Sequence, residues 1–224
     1  MSSIGRVVAF NGSPRAASGN TQLMLNALLE GIAEITHETP EIHQLAATEP
    51  DEALLGVFAG AETAILGFPL YTDAMPGVTK RFIDALRPLT ERPSNPRLLF
   101  LVQSGFPEAI HSRAVEAYLQ RLAARLRSEY LGTIVKGGGE ATRYRPPDRN
   151  AELFARLREL GRGVAGRGAL DPGVLRLLAS PERFPLWLSP IVRLFARSRV
   201  ANFFWDKQLR ENGAFDERFD RPYA

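Results

Sequence analysis

Two rhythms of apolar residues alternate along this chain. Short continuous runs fit strands buried on both faces: 4–10, 63–68 and 97–103, and a further strand is expected over 130–135. A weaker run at 41–45 keeps only Ile42 and Leu45 as apolar members and predicts a second, less buried strand. Between them, apolar positions recur at helical spacing. Residues 21–35 carry a stripe of Leu23, Leu25, Leu28, Leu29 and Ile32. Helices are also expected over 51–60, over 76–86 entered through Pro76, over 108–127 and over 150–164. The glycine-rich stretch 161–168 is expected to end the last of these. Its Gly161-Arg162-Gly163-Val164-Ala165-Gly166 follows a helix rather than a strand, so it is not a dinucleotide fingerprint.

Five strands alternating with five helices predict an α/β fold with helices on both faces of a parallel sheet. Right-handed crossovers leave few topologies, and the common five-stranded one is the order 2-1-3-4-5 of a flavodoxin-like three-layer sandwich. That domain is expected to fill residues 1–168, leaving 169–224 as a C-terminal helical extension. In such a sheet the ligand sits where strands one and three part, at their carboxyl ends. The two most unusual loops of the chain follow those strands. After strand one comes Asn11-Gly12-Ser13-Pro14-Arg15-Ala16-Ala17-Ser18-Gly19-Asn20-Thr21. Small residues, hydroxyls and a helix start suit a phosphate, because the first helical N–H groups are unpaired and the helix dipole is positive there. After strand three comes Gly67 to Gly77, with Tyr71 and stiffening prolines at 69 and 76. One loop for a phosphate and one for a flat ring meet the needs of a flavin mononucleotide site.

Composition narrows the chemistry. The chain of 224 residues is 45% hydrophobic and 24% charged, in the range of globular proteins. With no cysteine, thiolate metal sites, disulfides and cysteine nucleophiles are excluded. His37, His43 and His111 are dispersed without metal-ligand spacing, so no metal is expected. A net charge of +3 without a concentrated basic face argues against nucleic acid. No signal pattern opens the sequence, and no apolar run reaches the roughly 18 residues of a membrane span, so a cytoplasmic protein is expected.

The motifs also resemble a family. Asn-Gly-Ser-Pro-Arg followed by Ser-Gly-Asn-Thr at 11–21 is similar to the signature of the NAD(P)H-dependent FMN reductases of the flavodoxin-like superfamily. The likeness continues through Pro69-Leu70-Tyr71, Met75-Pro76-Gly77, Lys80, Phe82 and Asp84. It extends to Ser104-Gly105-Phe106-Pro107-Glu108 and the glycines 137–139, spanning roughly residues 4–168. The resemblance implies bound FMN, reduction by NADH or NADPH, a small-molecule electron acceptor and a homodimer. Carried over, it gives Ser13, Arg15, Ser18, Asn20 and Thr21 to the phosphate. It gives Pro69, Leu70, Tyr71 and Thr72 to the isoalloxazine, and Ser104, Gly105 and Phe106 to the pyrimidine side of the ring. Arg15 stays open between the flavin phosphate and the nicotinamide cofactor. No obligatory catalytic acid or base is implied, because the cofactor carries the chemistry. A flavodoxin-type electron carrier, or a flavin-binding partner protein without nicotinamide turnover, is the alternative.

The extension has its own signature. From Arg176 to Arg199 five arginines face one acid, Glu182, and a helix is expected from Ser189-Pro190. Two fates are open for Trp187, Phe195, Phe203, Phe204 and Trp205. They pack on the first domain or a partner subunit, which is the favoured expectation, or they contact a membrane surface.

Overall fold

The computed structural model describes residues 4–188 and 199–221. The chain forms two compact units, Met1–Arg183 and Phe184–Ala224. The first is built on a five-stranded sheet of β1 (Val7–Asn11), β2 (Glu41–Gln44), β3 (Thr63–Leu70), β4 (Arg97–Ser104) and β5 (Tyr130–Lys136). The strand order is β2-β1-β3-β4-β5, every pairing is parallel, and the fold is flavodoxin-like as the element pattern predicts.

Alternate residues of each strand feed two cores. Val7 and Ala9 face one side with Ile65, Leu99, Leu101 and Ile134, under α1 (Asn20–Thr36), α5 (Pro147–Arg167) and α6 (Pro172–Leu178). Val8 and Phe10 face the other with Leu66, Phe68, Phe100 and Val102, under α2 (Glu52–Ala59), α3 (Gly77–Ala85) and α4 (Arg113–Arg125). On this second side Phe10 stacks on Phe82, with ring centroids 4.8 Å apart.

Several boundaries differ from the sequence reading. β3 runs two residues past Phe68, through Pro69 and Leu70. The last β1 pair is Asn11 with Gly67, so Pro69 lies beyond the end of β1, where its missing N–H breaks no bond to that strand. The helix expected over 108–127 is a 3-10 turn, Ala109–Ser112, leading into α4. The glycine-rich stretch 161–168 ends α5 as expected, but only at its last member: the helix runs on through Gly161, Gly163 and Gly166 to Arg167 and stops at the left-handed Gly168. Gly161 is there for close approach: a Cβ on it would lie 2.1 Å from the carbonyl oxygen of Leu28 in α1.

The first unit also runs past Gly168. Leu170, Val174 and Leu178 are buried in the core under α6, and Leu170 packs where a Cβ on Gly132 of β5 would fall. Asp171 caps α6 by accepting from Gly173 N (2.7 Å) and Val174 N (3.1 Å). Further on, Ala109 N donates to Pro181 O and Ile110 N donates to Glu182 O, while Arg113 grips the Glu182 carboxylate.

The second unit contains a 3-10 turn at Leu186–Leu188 and α7 (Arg199–Glu211). The helix expected to open at Ser189-Pro190, and Phe195 with it, lie outside the described residues. Of the described tryptophans, Trp187 is 70% exposed and Trp205 59% in the single chain.

Candidate functional site

The carboxyl ends of β1, β3 and β4 lie side by side, because Asn11 pairs with Gly67 and Leu70 with Ser104. Three loops leave this edge, and a fourth leaves β5 next to it.

The first loop is shaped by Asn11, a buried residue that the sequence reading left out of the site. Its Oδ1 accepts from Ser13 N at 3.0 Å, an Asx turn that starts the loop. Its Nδ2 lies 3.0–3.1 Å from Ala16 O, Gln22 Oε1 and Gln44 Oε1, so two hydrogens serve three acceptors. The loop is tied across the sheet as well: Gly12 N donates to Gly67 O, and Thr79 Oγ1 donates to Gly12 O at 2.9 Å.

The loop delivers the chain to α1 with Gly19 as its N-cap and no side-chain cap. The hydroxyls are therefore not acting as helix caps. Ser13 and Thr21 are buried, and Thr21 Oγ1 has no hydrogen-bond partner. A buried, unpartnered hydroxyl beside uncapped helical N–H groups is a donor set with a missing acceptor. That chemistry fits a phosphate. Ser18 is exposed, and its Oγ donates to Arg15 O at 2.8 Å. The Asn20 amide is committed to the loop after β5, donating to Glu140 O at 2.8 Å and accepting from Arg143 N at 2.9 Å. Arg15 leans the same way, with its guanidinium 3.6 Å from Glu140 Oε1.

The loop after β3 is a tight turn. Tyr71 and Ala74 exchange backbone hydrogen bonds of 2.8 and 3.2 Å, with Thr72 at φ 48° and Asp73 at φ 61° between them. Two successive left-handed residues define a type I′ turn, and holding a β-branched threonine there stores strain. Pro69 and Leu70 are buried at the end of β3, while Tyr71 stands 46% exposed. Partial burial raises the pKa of the Tyr71 phenol, opposed by Arg15 and reinforced by Glu140, so it remains a neutral donor.

The loop after β4 begins at buried Ser104, whose Oγ donates to Phe106 O at 3.0 Å. Gly105 and Phe106 are exposed. The Phe106 ring stacks on His111, with centroids 4.4 Å apart, and His111 Nδ1 is 3.4 Å from Asp73 Oδ1. This histidine thus links the loops after β3 and β4. Gly138 N donates to Phe106 O at 2.8 Å, closing the loop after β5 onto the same edge. Gln103, buried at the end of β4, presents an unpartnered Oε1 there.

Of the residues expected to bind a ligand, Ser13, Arg15, Ser18, Asn20 and Thr21 share one loop and helix start. Tyr71 and Phe106 are the exposed aromatic rings of the neighbouring loops. Pro69, Leu70 and Ser104 form the floor rather than the rim. Asn11, Gln103, Glu140 and His111 border the same loops and were not among the expected residues. An Asx-turn reading of Asn11-Gly12-Ser13-Pro14 could have found the first. Among the described residues no group of His, Asp and Glu could hold a metal ion.

The profile of the family described as NADPH-dependent FMN reductase matches residues 5–136. No curated protein matches the sequence. Among solved structures, an NADH:FMN oxidoreductase in its apo form is similar at TM-score 0.56 and 16% identity, over 79% of this chain and 96% of that one. An azoreductase from Bacillus anthracis str. Sterne is similar at 0.55 and 16%, over 73% and 99%. An oxidoreductase from Corynebacterium diphtheriae is similar at 0.54 and 15%, over 79% and 98%. At such identities the structural likeness is one of fold.

Proposed function

The chain belongs to the NADPH-dependent FMN reductase family, and from that premise we propose that its loops divide one FMN between them and serve a small electron acceptor. It is an NAD(P)H-dependent flavin oxidoreductase, with FMN as cofactor and a reduced nicotinamide as electron source. The observation that carries the site reading is the uncapped start of α1 with Thr21 Oγ1 buried and unpartnered beside it.

In this reading the phosphate meets the first N–H groups of α1, the Thr21 and Ser13 hydroxyls and the loop backbone. Asn20 contributes its main chain, because its amide is already used on both sides. Ser18 contributes only by turning its hydroxyl proton away from Arg15 O. Arg15, between the phosphate loop and Tyr71, supplies positive charge without needing deep burial. Tyr71, Thr72, Gly105 and Phe106 form the rim for the ring, over the floor of Pro69, Leu70 and Ser104. The bound flavin supplies the redox chemistry, accepting hydride from the nicotinamide and passing electrons on. The protein holds and orients the two partners and keeps water from the contact between them. No side chain is assigned a proton transfer.

Free flavin, quinones, nitro compounds and azo compounds are the acceptor classes, and a homodimer in the cytoplasm is the expected setting. The experiment is anaerobic. Protein reconstituted with FMN should stay yellow through gel filtration, and NADH or NADPH should bleach it within the mixing time or seconds after. Retained FMN that neither nicotinamide bleaches would favour the electron-carrier alternative. Colourless protein that does not quench FMN fluorescence would overturn the site itself.

A further inference from the structure

The flavin reading gives no task to His111, yet this side chain touches both loops of the rim. It stands on the 3-10 turn Ala109–Ser112 that leads into α4. Its ring stacks on Phe106 at an interplanar angle of 27°. Its Nδ1 lies 3.4 Å from Asp73 Oδ1 and its Nε2 lies 3.9 Å from Glu108 Oε2, so each ring nitrogen faces a carboxylate. The segment it grips is a strained one. Thr72 and Asp73 both sit at positive φ, and such backbone persists only where its surroundings fix it. The turn has its own pair of backbone hydrogen bonds between Tyr71 and Ala74, and His111 holds Asp73 from outside it. Other charges lie near. Lys80, which lines the cleft beside Asp73, is engaged by Asp84. Glu182, whose carbonyl accepts from Ile110 N, has its carboxylate held by Arg113. Arg183 lines one cleft with His111, Asp73 and Glu108.

We propose that His111 is a positioning residue for the flavin ring: it locks the turn at 71–74 against the loop at 104–108, and most firmly when both of its nitrogens carry a proton. The ring role rests on the flavin reading above; the lock itself belongs to the free protein. A neutral imidazole has one N–H and serves one carboxylate, whereas the imidazolium has two and serves Asp73 and Glu108 together. Its hydrogen bonds are also the stronger, charge-assisted kind. Tyr71 on one loop and Phe106 on the other are then held as a single preorganised rim, which spares the ligand the cost of ordering two loops separately. His111 and Thr21 therefore differ in what they read. The Thr21 hydroxyl answers to the phosphate and distinguishes FMN from riboflavin, while His111 acts on the ring that both share. Because protonation strengthens the lock, affinity for the ring is highest at low pH and falls as pH rises through the titration of His111.

Two measurements on the full-length chain test this. In the ligand-free protein, hydrogen exchange of the Tyr71 and Ala74 amides reads the lock directly. At about pH 5.5, His111→Gln should speed both about fivefold over wild type, the effect of a partly exposed ion pair, and by less at about pH 8.5. Fluorescence-quenching titrations with riboflavin and FMN read the ring. His111→Gln should weaken both by the same factor, about fivefold at the lower pH. His111→Arg keeps a planar cation at every pH, so it should restore exchange and affinity and abolish their dependence on pH. Asp73→Asn should reproduce the glutamine variant, since asparagine tolerates the left-handed backbone there and the turn itself is spared. Equal exchange in wild type and His111→Gln overturns the proposal. So does a loss confined to FMN, or a loss of the same size at both pH values, which would leave His111 a packing residue. If wild type quenches neither flavin, the flavin reading falls and takes the ring role with it, while the exchange rates still decide whether the lock exists.

Discussion

In the proposed phosphate site, Thr21 is a liability in the free protein and an asset in the complex. Its hydroxyl is buried without a partner, a state that costs about 1–3 kcal/mol. Thr21→Val keeps the shape and removes the orphan, so the ligand-free variant should melt at the same temperature or slightly higher. The same change should weaken FMN by about 10- to 100-fold, the loss of one hydrogen bond to a charged group at about 1.5–3 kcal/mol. Riboflavin, which lacks the phosphate, should bind both forms alike in a fluorescence-quenching titration. Equal losses for both ligands would move the phosphate elsewhere. Thr21 and Ser13 stood out in the sequence as hydroxyls beside glycines at a strand-to-helix junction, and the structure buries both there. Glu140 and His111 did not, because their contacts with Arg15 and Asp73 cross distances that only the fold closes. His111 lies far from Asp73 in sequence and 3.4 Å away in space.

At the level of elements, the two long helices on one face are held together by missing side chains. A Cβ on Gly31 would lie 2.0 Å from Arg158 O, and one on Gly161 would lie 2.1 Å from Leu28 O. Both neighbours are backbone, so neither can swing aside. Gly161→Ala should therefore cost about 1–3 kcal/mol of stability by forcing α1 and α5 apart, although alanine favours helix by about 1 kcal/mol. Gly166 sits in the same helix with nothing within 4 Å of its missing Cβ. Gly166→Ala should stabilise by about 0.4–1 kcal/mol. Urea denaturation of the pair separates packing from propensity; two changes of the same sign would refute the close-approach account. Local propensity reads the glycine run as a helix end, and Gly168 is that end; what it does not show is that Gly161, in the same run, serves as a groove for α1. The strands were easier, since β1, β3 and β4 are buried on both faces and carry unbroken apolar runs. Their ends shifted by a residue or two, as with Pro69 and Leu70, because pairing with a neighbour extends a strand past its apolar core.

For the whole molecule, the strand order followed from element alternation, crossover handedness and the commonness of the 2-1-3-4-5 order, but the limit of the first unit did not. Leu170, Val174 and Leu178 lie beyond the glycine-rich stretch and yet belong to the first core. Each buried aliphatic side chain is worth about 1.5–3 kcal/mol. A chain ending at Gly168 should thus lose about 5 kcal/mol or more relative to one ending at Arg183, a large share of the roughly 5–15 kcal/mol of a typical domain. Thermal unfolding should show the longer form melting cooperatively with FMN retained and the shorter form melting far lower. Comparable melting of the two would return the boundary to Gly168. The uncapped start of α1 carries a last consequence, one of mass action. A fold that leaves an anion site open in its own framework makes its stability a property of the solution as well as of the sequence. The ligand-free protein should gain stability with the logarithm of inorganic phosphate concentration, by about 2.7 kcal/mol at a hundred times the dissociation constant. Thr21→Val should flatten that dependence, so that the buffer itself reports whether the site is whole.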